Sequence, residues 1–142
     1  MREILFRGKR LDNGEWVIGH LITDDRDGRK FIVSGIGYQC EEDIDSANRY
    51  IECFGFGVDP ETVGQYTGMT DESKSKIFEG DLYRSNWGYI FEVVYLESEA
   101  CFVGVPVGYP KEWTFLEDML LDVKKVGNKW DNPELLGVDK NA

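Results

Sequence analysis

Ile77-Phe78-Glu79-Gly80-Asp81-Leu82-Tyr83-Arg84, then Asn86-Trp87-Gly88, then Tyr89-Ile90-Phe91-Glu92-Val93-Val94-Tyr95-Leu96 is the stretch that decides the fold. Its apolar residues are mostly β-branched or aromatic, the side chains that fit a pleated, half-buried surface. A turn bounds each run. Gly80 can take conformations closed to other residues, and Asp81 can bond back to nearby backbone amides, so the pair turns the chain sharply into a new strand. Asn86-Trp87-Gly88 is a hairpin signal. Cys101-Phe102-Val103-Gly104-Val105 is the expected neighbour of the strand at 89–96. Short strands at near-regular spacing with glycine-rich corners predict a small antiparallel barrel, not a parallel sheet.

Downstream, Thr114 is positioned to cap a short helix over Phe115-Leu116-Glu117-Asp118-Met119-Leu120-Leu121, with Glu117 as its capping-box partner. β-branched Val123 and Val126 follow, so about one helical turn and then a closing strand at 123–127 is expected. Asn132-Pro133-Glu134-Leu135-Leu136 reads as a final short turn.

Upstream, Ile4-Leu5-Phe6 precedes the turn Asp12-Asn13-Gly14, and residues 15–23 form a β-branched and aromatic run. A polar turn, Asp24-Asp25-Arg26-Asp27-Gly28, leads to Phe31-Ile32-Val33. Residues 41–49 read as an excursion, and 50–54 as a fourth strand. Gly55-Phe56-Gly57-Val58-Asp59-Pro60 reads as punctuation, with Pro60 suited to the first position of a short helix or turn. The predicted organisation is therefore mainly β: an N-terminal meander over 1–57, packed on a C-terminal small barrel over 58–142, with one short helix or helical turn.

The chain has 142 residues, 42% of them hydrophobic and 13% aromatic. That supplies a core without staples or metals, since a globule of this size hides roughly two-thirds of its unfolded surface. Sixteen basic against 27 acidic residues give a net charge of −11. Residues 1–57 hold 8 basic and 11 acidic residues, and 58–142 hold 8 and 16, so the second part is the more acidic. Such a field repels phosphate backbones, which bind through Lys and Arg, so no nucleic-acid partner is expected. The acidic residues are scattered, which fits solubility through self-repulsion; a decoy for a DNA-binding protein is the sharper alternative. Cys40, Cys53 and Cys101 are odd in number and form no Cys-x-x-Cys pair, which suits a reducing compartment. With no signal-like or membrane-spanning apolar run, a cytoplasmic location and no membrane association are expected.

No catalytic constellation emerges, and no catalytic, cofactor-binding or metal residue is assigned. His20 is the one histidine, and it lies in a β run, where a space-filling or hydrogen-bonding role outweighs catalysis. Glu79 and Asp81 could present oxygens to a hard cation, as in a metal-dependent hydrolase or nuclease, but turn chemistry explains them without a ligand. Asp24-Asp25-Arg26-Asp27-Gly28 lacks flanking helices and the twelfth-position Glu of a calcium loop, so it is a hairpin turn. Trp16, Trp87, Trp113 and Trp130 lie near turns or strand edges. Any of them could anchor a partner or plug the core.

Thr62-Val63-Gly64-Gln65-Tyr66-Thr67-Gly68, Asp71 and Ile77-Phe78-Glu79-Gly80-Asp81-Leu82 closely resemble the signature of the YopX family of bacteriophage and prophage proteins. So do Met1-Arg2-Glu3-Ile4, Val126-Gly127-Asn128 and Asn132-Pro133-Glu134-Leu135-Leu136. The resemblance spans nearly the whole chain. It implies an SH3-like barrel in the second half and a phage setting, and it carries no established activity or site residue. Residues 35–52 and 97–113 fall outside it, so partner specificity is expected there. The expectation for function is a non-enzymatic accessory module that binds a protein partner or itself, a homo-oligomer being compatible with open sheet edges.

Overall fold

The computed structural model describes residues 2–38 and 51–137. Among them the chain forms β1 (Phe6–Lys9), β2 (Trp16–Thr23), β3 (Lys30–Tyr38), β4 (Ile51–Val58), β5 (Gly64–Thr70) and β6 (Lys76–Phe78). It continues as β7 (Asp81–Ser85), β8 (Ile90–Leu96), β9 (Cys101–Pro106), β10 (Thr114–Phe115), a one-turn helix α1 (Leu116–Met119) and β11 (Val123–Asn128). The protein is mainly β, with every strand pairing antiparallel, as its sequence predicts. The excursion expected at 41–49 lies outside the described residues.

Two compact units divide the chain, residues 1–65 and 66–142. The boundary expected at Gly57 falls inside β4. The backbone of residues 55–58 continues β4 and pairs with β3 from Val33 back to Lys30, so the two glycines serve a strand and not a linker.

In the first unit the strands lie in the order β4-β3-β2-β1, and Gly64 and Gln65 at the start of β5 pair with Arg7 and Phe6. Both predicted turns are present. Asn13 Oδ1 accepts the Glu15 amide at 2.9 Å, and Asp24 Oδ1 accepts the Arg26 amide at 2.9 Å. These are the local side-chain bonds that make Asn and Asp turn residues. The ladder opens at Phe6, and Ile4 before it is half exposed. Ile32, Val33 and Val58 are the buried apolar residues here. Pro60–Thr62 forms a short 3-10 turn with Asp59 as its cap. Thr62 Oγ1 donates to the Asp59 carbonyl at 2.7 Å and accepts the Lys9 amide at 2.9 Å, which ties that turn to β1.

In the second unit β5 from Tyr66 onward pairs with β6, and a five-stranded sheet runs β10-β9-β8-β7-β11. Ile77, Tyr83, Val93, Leu116 and Met119 form its core cluster, and Leu82 and Val103 are fully buried. Each side chain of this kind contributes roughly 1.5–3 kcal/mol by leaving water. The outer strands are β10 and β11, joined through α1 and a further 3-10 turn at Leu120–Asp122. The expected Thr114 cap is not made. Thr114 pairs with Gly104 in β10, Phe115 takes the cap position without a side-chain bond, and the helix is one turn long. The ladder to β9 runs on through Phe115, so the helix starts one residue beyond the place where Thr114 would cap it. The closing strand and the Pro133–Leu136 turn form where the sequence places them.

Candidate functional site

The residues that carry the family resemblance assemble into a scaffold. Gly80 adopts φ +87°, and a Cβ there would collide with the Trp130 ring. Its amide donates to the Val93 carbonyl at 2.8 Å, and its carbonyl accepts the Lys129 amide at 2.9 Å. Asp81 is fully buried, and its Oδ2 accepts the Phe78 amide at 2.9 Å and lies 3.6 Å from Lys125 Nζ. Gly127, at φ +147°, leaves the space that Asn132 Oδ1 occupies. Asn128 Oδ1 accepts the Trp130 amide at 3.0 Å and the Asp131 amide at 2.9 Å. Asp71 receives the Tyr83 hydroxyl at 3.1 Å while its other oxygen accepts the Ser73 and Ser75 amides. Asp71, Asp81, Asn128 and Asn132 thus each accept a backbone amide at a turn, the commonest fate of buried polar side chains. Asp81 acts in the turn in which the sequence placed it, and half-buried Glu79 directly precedes Gly80. Among the described residues no three His, Cys, Asp or Glu side chains cluster to hold a metal.

His20 is exposed on β2 opposite Val33. Asp24 and Asp27 hold the hairpin turn. Hydrogen bonds from the Arg26 side chain and amide keep Asp24 below its ordinary pKa, and the amide and guanidinium of Arg29 do the same for Asp27.

A groove of about 660 Å³ lies elsewhere in the second unit. Three separated segments build it. Trp87 and Tyr89 come from the β7–β8 hairpin, Tyr109 and Trp113 from the loop between β9 and β10, and Leu121 and Asp122 from the turn entering β11. The hairpin is held by the Ser85 amide donating to the Tyr89 carbonyl at 2.8 Å and by Ser85 Oγ accepting the Tyr89 amide at 3.1 Å. The Asn86 amide donates to the Asp122 carbonyl at 3.2 Å, which fixes the hairpin against the turn that faces it. Buried Met119 and half-buried Phe91 and Val123 are among its liners. The rim is wet. Trp87 is 86% exposed, and Tyr89, Tyr109 and Trp113 are 52%, 51% and 38% exposed. Tyr89 and Tyr109 meet edge to face at 6.4 Å between centroids, and Trp113 meets Phe115 likewise at 5.0 Å. Such T-shaped pairs are a favoured aromatic geometry, so the rings hold one another in place. The volume falls within the range of roughly 300–1,000 Å³ common for ligand sites.

The structure thereby sorts the four tryptophans. Trp16 and Trp130 are half buried, under Arg7 and Lys9 and under Lys129 respectively, while Trp87 and Trp113 face the groove. Sequence reasoning named both groove tryptophans but not Tyr89, Tyr109, Glu112, Asp118 or Asp122 as a set. One available signal was Trp87 itself, since a large apolar ring at a hairpin apex has no core within reach. Pro106, Tyr109, Glu112 and Trp113 all lie in the segment 97–113, apart from the signature residues named above.

Residues 5–137 match the family model described as YopX protein. Among solved structures the chain is similar to a crystal structure of protein EF1440 from Enterococcus faecalis, at a TM-score of 0.65 and 20% identity. That match covers 96% of this chain and 99% of the other, and at such identity it shows the fold alone. No curated protein matches this chain.

Proposed function

This chain belongs to the YopX protein family, and we propose that it is a non-enzymatic module that binds a protein partner through the groove of its second unit. The observation that carries this reading is the exposure of Trp87, Tyr89, Tyr109 and Trp113 around one groove. Leaving large rings in water forfeits burial energy, and clustered exposed apolar surface marks interaction sites. Trp and Tyr are also the residues that dominate binding energy at interfaces. The signature loops favour the same reading from the other side: their polar groups hold turns, and the groove is built largely from other residues. The family resemblance adds a phage setting in the bacterial cytoplasm, with which three unframed cysteines agree.

The test compares affinity capture by the native chain with capture by the Trp87→Ala/Trp113→Ala variant. Proteins retained by the first should be lost from the second, since truncating a hot-spot residue costs about 2 kcal/mol or more, roughly thirtyfold in affinity. Light scattering on both proteins identifies the case in which the partner is a second copy. Equal capture and equal mass for the two would refute the groove as the binding surface.

A further inference from the structure

The charge of the groove says what enters it. Of its lining residues Glu112, Asp118 and Asp122 are charged; all three are exposed carboxylates, and no Lys, Arg or His lines it. Aromatic faces attract cations, and carboxylates beside them hold the same cation by charge.

The remaining tryptophans supply an internal control. Arg7 lies 4.8 Å from the Trp16 ring centroid, with Lys9 at 5.4 Å, and Lys129 lies 4.8 Å from that of Trp130. Arg10 stacks 4.0 Å from the Phe56 centroid in the same manner. Among the described residues, no cation of this chain lies over Trp87 or Trp113. Among the described residues, two tryptophans are thus covered by the chain's own cations, and the two in the acidic groove are not.

We infer that the groove takes an extended, arginine-bearing segment of a protein partner, its guanidinium stacked on the groove's aromatic rings and facing Glu112, Asp118 and Asp122. This rests on the groove being the docking surface proposed above. Arginine fits better than lysine because its planar group is weakly hydrated, stacks on aromatic faces and presents a fork of donors to carboxylates. An extended peptide fits better than a small cation because the liners come from three separated segments, so several rings and carboxylates are offered along one surface channel. Aromatic-lined grooves of this kind suit extended, proline-punctuated chains. Nucleic acid is disfavoured at the same surface, because phosphates would meet carboxylates there.

The test titrates the isotope-labelled native protein with a short peptide repeating Arg-Pro-Ala, and with counterparts carrying citrulline or Lys in place of Arg. Citrulline keeps the planar shape and loses the charge. The indole N–H signals of Trp87 and Trp113 should shift with the Arg peptide while those of Trp16 and Trp130 stay put. Affinity should fall roughly tenfold with citrulline, and by a similar factor in the Glu112→Gln/Asp118→Asn/Asp122→Asn variant, whose fold the amide spectrum verifies. Added salt should weaken binding further. Equal affinity for citrulline, tighter binding of the Lys peptide, undiminished binding by the carboxamide variant or silent groove signals would each overturn the inference. If the groove stays silent while protein capture still depends on Trp87 and Trp113, the occupant is wrong and the docking reading stands. If capture ignores both tryptophans, the docking reading falls and takes the arginine assignment with it.

Discussion

Gly80 and Trp87 lie seven positions apart, the one buried and the other exposed. Gly80 holds a left-handed conformation against the face of Trp130, with both of its backbone groups bonded to other segments. Gly80→Ala should therefore destabilise the protein by roughly 2 kcal/mol or more, from the left-handed cost of about 1–2 kcal/mol and the displaced ring. Trp87→Ala removes an 86% exposed side chain and should move stability by no more than about 0.5 kcal/mol. Urea unfolding of the two variants measures both; equal losses would mean that Trp87 is part of the core. The role of Gly80 was legible in the sequence because a turn between two β-rich runs calls for a residue free of a Cβ. The groove carboxylates were not legible. Glu112, Asp118 and Asp122 are three of 27 acidic residues, and only the path of the chain sets them beside the same rings.

Elements were legible where turn chemistry marked their ends. The runs that follow residues 12–14 and 24–28 became β2 and β3 because aspartates and asparagine close those corners with their own side chains. Two elements were misread for one reason, that long-range ladders override local preference. Gly55 and Gly57 look like breakers and yet pair in β4, and Thr114 looks like a cap and yet pairs in β10. The turn at 24–28 also sets a pH dependence. Asp24 and Asp27 are held below the ordinary value of 3.8 by Arg26 and Arg29. A carboxylate whose folded pKa lies below its unfolded one contributes stability above the unfolded value and loses it as pH falls through the folded value. Asp24→Ala/Asp27→Ala should thus melt below the native protein at neutral pH, with the gap closing below about pH 4. Melting curves across that range check it. A gap that persists undiminished under acid would assign the effect to turn geometry alone, independent of charge.

At the scale of the whole chain, charge and the placing of its cations act together. The net charge is −11, and several of the basic side chains are already engaged: Arg7, Lys9, Arg10 and Lys129 lie over aromatic rings of this same protein, and Lys125 faces Asp81. Nucleic-acid affinity comes largely from cations that release counterions at phosphates, so cations committed elsewhere in an acidic field leave little to bind with. Among the described residues no helix is long and apolar enough to cross a membrane. What the field does favour is a basic protein, whose approach it accelerates at low salt. The native protein should accordingly show no retention on single-stranded DNA at an ionic strength of about 0.15 M, where charges more than roughly 8 Å apart are screened. Filter binding over a salt series measures this. Retention that weakened steeply with added salt would reveal a local cationic surface strong enough to overcome the net charge. In that event the acidic groove would have to share the molecule with a second, oppositely charged binding face.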